Sequence, residues 1–67
     1  MLYIVKRTRD SHYLCPFNEL KKPIEFALSP LKSDALKEPY NEAERHMHMI
    51  NEILPDKYEI IQANYNE

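Results

Sequence analysis

Glycine is absent from all 67 residues of this sequence, where average usage would supply about 7%. Its absence excludes the glycine-dependent sites together: no phosphate-cradling P-loop, no dinucleotide fingerprint and no nucleophile elbow. Tight turns must then be made by Asp, Asn, Ser and Pro, whose side chains or rings shape the backbone locally. Cysteine is nearly absent too. A single Cys15 cannot form a disulfide within the chain, and one thiol with no secretory leader points to a reducing compartment and a cytoplasmic location. Long apolar runs are also missing. Met1-Leu2-Tyr3-Ile4-Val5 is interrupted at once by Lys6 and Arg7, far short of the ~20 apolar residues of a membrane span. The expectation is a soluble protein with no membrane partner.

A chain of this length holds one domain and a modest core, burying only ~60% of the surface its unfolded form exposes. Without disulfides, extra burial comes from a partner or from self-association. The net charge of −2 demands no particular partner, but the charges are unevenly placed. Residues 1–32 carry Lys6, Arg7, Arg9, Lys21, Lys22 and Lys32 against Asp10, Glu19 and Glu25. Residues 33–67 carry Lys37, Arg45 and Lys57 against Asp34, Glu38, Glu42, Glu44, Glu52, Asp56, Glu59 and Glu67. A basic front and an acidic back are expected to attract each other within the fold.

Leu2–Thr8 is rich in β-branched and aromatic residues and reads as a strand. Arg9-Asp10-Ser11-His12 supplies a polar turn, and Tyr13-Leu14-Cys15 resumes the strand until Pro16, giving an N-terminal hairpin over 1–17. Residues 18–38 form an irregular, proline-bounded segment. Within it Ile24–Leu28 is a third strand or a buried loop, and Ser33–Lys37 a helical turn closed by Pro39. Residues 41–54 give the clearest signal. Asn41 stands as N-cap with Glu44 three residues on, Ala43, Met47, Ile50 and Leu54 make one apolar stripe, and Pro55 follows. Residues 57–63 read as a closing strand and 64–67 as a frayed tail. The expected fold is α+β: a small antiparallel sheet, formed by the hairpin and the C-terminal strand with one more strand allowed, packed on one α-helix.

Tyr3-Ile4-Val5-Lys6, then Tyr13-Leu14, Glu42-Ala43-Glu44 in a helix and Tyr58-Glu59-Ile60-Ile61 together resemble small uncharacterised phage-encoded proteins of β-β-α-β outline. The resemblance spans most of the chain and implies a fold outline and a phage origin. It carries over no functional residue.

Candidate chemistry is sparse. His46 and His48 lie two apart, and on a helix that separates their side chains by roughly 200°, so one ion cannot take both. His46 borders the apolar stripe and His48 faces solvent. His12 and Cys15, three apart in a strand, point to opposite faces; Cys15 reads as a small core residue. No carboxylates form a pair in an apolar setting, so no catalytic residue, metal or cofactor is expected. Three protein-binding surfaces remain, the sheet's free edge, the helix's acidic face and the irregular 18–38 segment, and the hairpin is a nucleic-acid alternative. The helix offers Glu44 and Glu52, with Tyr40 and an off-stripe Met49 that needs a cover, as a protein interface; its self-association form is a homodimer burying Met49 and a strand edge. The basic hairpin offers Lys6, Arg7, Arg9, Tyr13, Lys21 and Lys22 as nucleic-acid contacts, with cations for phosphates and aromatics for stacking. Protein binding in a regulatory role leads, and nucleic-acid binding is the alternative.

Overall fold

The computed structural model describes residues 1–16 and 28–63. Its elements run β1 (Tyr3–Arg7), β2 (His12–Leu14), β3 (Leu28–Ser29), a 3-10 turn (Lys32–Asp34), α1 (Tyr40–Ile53) and β4 (Tyr58–Gln62). All neighbours pair antiparallel in one four-stranded sheet of order β3-β2-β1-β4. The α+β architecture expected from the sequence is therefore present: a small antiparallel sheet with one helix on a face. Ile24–Ala27, Lys21, Lys22 and the 64–67 tail lie outside the described residues, so the third strand is seen only as Leu28–Ser29.

The sequence makes β1 central because its successive residues are apolar on both sides of the pleat. Ile4 and Val5 are each only 1% exposed. On the helix face Val5, Leu14, Ala43 and Ile50 form a buried cluster, with Tyr3, Leu28, Met47, Tyr58 and Ile60 packed around it. On the opposite face Ile4 joins Ala35 and Ala63, flanked by Leu2, Tyr13 and Ile61. The turn between β1 and β2 supplies the left-handed backbone without glycine: Ser11 sits at φ 55°.

Residues 36–38 form no strand, but single backbone contacts join them to the sheet. β2 ends at Leu14, whose carbonyl accepts the Leu36 N–H at 2.8 Å. Beyond it, Tyr3 and Glu38 exchange both backbone bonds, at 2.7 and 3.0 Å. Directly opposed residues of an antiparallel pair project to the same face, so Glu38, like Tyr3, points under the helix. The preceding turn is tighter and earlier than the expected Ser33–Lys37 helix. Ser29 Oγ donates to Asp34 at 2.9 Å and accepts from the Leu31 N–H, and Ala35 is already extended.

The helix starts at Tyr40, so Asn41 is not the N-cap; Pro39 holds that place. Its carbonyl accepts from Glu42 and Ala43, while its own fixed φ of −59° suits helix entry. The Tyr40 ring also meets the Tyr3 ring edge-on, centroids 5.3 Å apart, tying the first turn to the sheet. At the other end the helix closes at Ile53. Leu54 has left helical geometry at φ −127° and is 43% exposed, so it drops out of the apolar stripe. Its carbonyl instead accepts the Tyr58 hydroxyl at 2.6 Å, which pins the link into β4. Among the described residues no helix is long and apolar enough to cross a membrane.

Candidate functional site

The two edges of the sheet differ in kind. Natural sheets protect edges by keeping them short, or by placing proline, lysine or a bulge there. Among the described residues β3 is Leu28–Ser29, and Pro30 follows at once. β4 is five residues, Tyr58-Glu59-Ile60-Ile61-Gln62, with neither proline nor lysine. Its one charge, Glu59, pairs with Lys6 at 3.7 Å on the far face from the helix.

Hydrogen bonding fixes which way each β4 residue turns its backbone. The Thr8 N–H donates to the Lys57 carbonyl at 2.9 Å, and the Ala63 N–H to the Leu2 carbonyl at 2.8 Å. In an antiparallel ladder these directions alternate, so Lys57, Glu59, Ile61 and Ala63 face β1. Tyr58, Ile60 and Gln62 turn their N–H and C=O groups outward, where no described residue meets them. At the Tyr58 end of β4, beside the helix, lies an open groove of about 440 Å³ lined by Thr8, Met47, His48, Asn51, Asp56, Lys57, Tyr58 and Glu59.

The second notable arrangement is internal. His46 projects from α1 onto Glu38, its Nδ1 donating to Glu38 Oε1 at 2.6 Å, with both side chains 8% exposed. Arg45 Nη2 lies 3.1 Å from His46 Nε2, so both ring nitrogens are engaged. Glu38 Oε2 is buried without a hydrogen-bond partner. Burial raises the Glu38 carboxyl above its ordinary value, and the nearby His46 opposes that rise. A carboxylate-oriented histidine is the starting arrangement for acid–base chemistry. Here, however, the ring nitrogen that would face a substrate is met by Arg45 and the ring is buried. The pair is a polar lock between helix and sheet.

The expected site residues fall in several places. On the helix, Glu44 and Glu52 are exposed and Tyr40 is 51% exposed. Met49 is half-buried rather than open, with Arg45 Nη1 lying 3.8 Å from its sulfur. The described cations of the hairpin are each paired with an acid. Besides Lys6 with Glu59, Arg7 chelates Asp10 at 2.7 and 3.0 Å, and Arg9 reaches Asp56 at 2.9 Å. Tyr13 packs on the face of the sheet away from the helix. Lys6–Glu59 and Arg9–Asp56 join the basic front of the chain to its acidic back. Cys15 is half-buried outside both core clusters, its thiol 3.6 Å from the Tyr13 carbonyl and pushed up by burial. His46 and His48 diverge, one buried and one exposed. Among the described residues, no group of three His, Cys, Asp or Glu side chains could hold a metal ion.

Two features escaped the sequence: the burial of Glu38 and the outer position of β4. Both depend on long-range pairing with β1. No protein-family model matches this chain, and no curated protein or solved structure shows significant similarity to it.

Proposed function

We propose that this chain is a small non-catalytic protein-binding domain, regulatory in role, that docks through the outer edge of β4. The observation that carries the proposal is the row of outward backbone groups on Tyr58, Ile60 and Gln62 that no described residue meets. Such an edge templates an added strand: main-chain bonds give affinity, and alternate side chains give specificity. Burying it also supplies surface that a core of this size lacks. The resemblance to small phage-encoded proteins fits a protein that binds a host or partner protein, and the lone Cys15 fits a reducing, cytoplasmic setting. Against nucleic-acid binding through the hairpin, its described cations Lys6, Arg7 and Arg9 are already paired with acids.

The test is selection of displayed extended peptides on the immobilised chain, followed by competition with a Gln62→Pro variant. Proline at 62 removes one outward N–H and leaves the β1 ladder intact, because Gln62 does not bond to β1. Enriched peptides should bind the native chain and lose that binding to the variant. Peptides that bind both equally, or no enrichment at all, would overturn edge docking.

A further inference from the structure

The outer face of β4 is complementary to itself. Antiparallel pairing of two copies needs outward residues to meet outward residues, so only certain symmetry axes are allowed. An axis through Ile60 pairs Tyr58 with the second copy's Gln62, Ile60 with Ile60, and Gln62 with Tyr58. Each pair exchanges both backbone bonds, and every outward group of the strand is satisfied. Glu59 then lies opposite the second copy's Ile61, and no like charges are opposed. An axis through Glu59 would set the two Glu59 carboxylates against each other, and an axis through Ile61 would leave Tyr58 without a partner inside β4. The best register is also the one that opposes apolar Ile60 to itself on the face where Ile60 already packs toward the helix.

The surroundings accommodate this arrangement. The helix sits on one face only, so two copies would form one eight-stranded sheet with both helices on the same side. The groove beside α1 opens directly over the Tyr58 end of the edge, where this register places the second copy's Gln62. The charge of Glu59, the one charged residue within β4, is already tied to Lys6 in its own chain.

We infer that the occupant of the β4 edge is a second copy of this chain, paired antiparallel about a two-fold axis through Ile60. The inference rests on β4 being the docking edge and names its partner. Sedimentation equilibrium over a range of concentrations should show a monomer–dimer equilibrium. By symmetry Gln62→Pro removes two hydrogen bonds from the seam, so the dimer should weaken about 10–100-fold. The register is tested by disulfide trapping in a Cys15→Ser background. Glu59→Cys mixed with Ile61→Cys should cross-link, since those positions oppose each other with Cα atoms about 4.5 Å apart. Neither variant alone should cross-link efficiently. Three outcomes overturn the inference: a strict monomer at all concentrations, a dimer unaffected by Gln62→Pro, or efficient cross-linking of Glu59→Cys to itself. A strict monomer that still captures extended peptides in a Gln62-sensitive way would leave edge docking standing and remove only the second copy.

Discussion

Replacing His46 by Leu should be among the most damaging single changes in this protein, and replacing Glu38 by Leu as well should restore most of the loss. In the native fold Glu38 and His46 are each 8% exposed and share a 2.6 Å hydrogen bond. Removing the imidazole leaves a buried carboxylate whose second oxygen already lacks a partner. Breaking a buried pair on one side costs about 3–5 kcal/mol, whereas exchanging both members for apolar residues of similar volume is often neutral or stabilising. A chain of 67 residues has a total stability of about 3–10 kcal/mol, so His46→Leu should consume most of it. Glu38→Leu alone should cost about 1–3 kcal/mol by leaving Nδ1 without its acceptor. Urea denaturation at neutral pH, followed by circular dichroism, gives the four corners of the cycle. The pH dependence has a definite sign. Burial holds the Glu38 carboxyl above its ordinary value of 4.5, so the folded state binds that proton more tightly than the unfolded chain. The resulting stabilisation is full below the ordinary value and is lost as pH rises through the raised one. The deficit of His46→Leu should therefore shrink as the solution is acidified. A cost below about 1 kcal/mol for His46→Leu, or a double variant as unstable as the sum of the singles, would refute the buried lock.

Two further outcomes follow from the hairpin. Ser11, at φ 55°, carries the strain that a glycine would avoid. Ser11→Gly should raise stability by about 0.5–1 kcal/mol, measured by the same denaturation, and a loss would contradict the assigned conformation. Hydrogen bonding from Arg7 lowers the Asp10 carboxyl from its ordinary 3.8 to about 2. Its contribution should be present above 3.8 and be lost as pH falls through about 2; an NMR titration of Asp10 should return toward 3.8 in Arg7→Gln.

Local pattern made the helix and hairpin legible. The Ala43, Met47 and Ile50 spacing and the β-branched run at Ile4-Val5 each specify an element without reference to the rest of the chain. The placing of His46 beside the apolar stripe was legible for the same reason. Glu38 was not, because nothing around Lys37-Glu38-Pro39 signals that the backbone will pair with Tyr3, some thirty-five residues earlier. The same limit hid the edge. Tyr58-Glu59-Ile60-Ile61 reads as a strand, but whether a strand lies inside a sheet or outside it depends on which other strands claim its neighbours. Pro39 rather than Asn41 caps the helix, at an entry where the Tyr40 ring meets Tyr3 from the other end of the described chain. The charge asymmetry was informative only after folding, when Lys6–Glu59 and Arg9–Asp56 showed the two halves meeting.

Residue-resolved amide hydrogen exchange tests the central claim most directly, that the outer edge of β4 is the docking surface. At low protein concentration the amides of Glu59 and Ile61, bonded to β1, should be protected, while those of Tyr58, Ile60 and Gln62 exchange fast. On assembly, or on capture of an extended peptide, the outward amides should become protected together and the inward ones change little. Outward amides that are already protected in the dilute chain, or that stay unprotected in the complex, would contradict it.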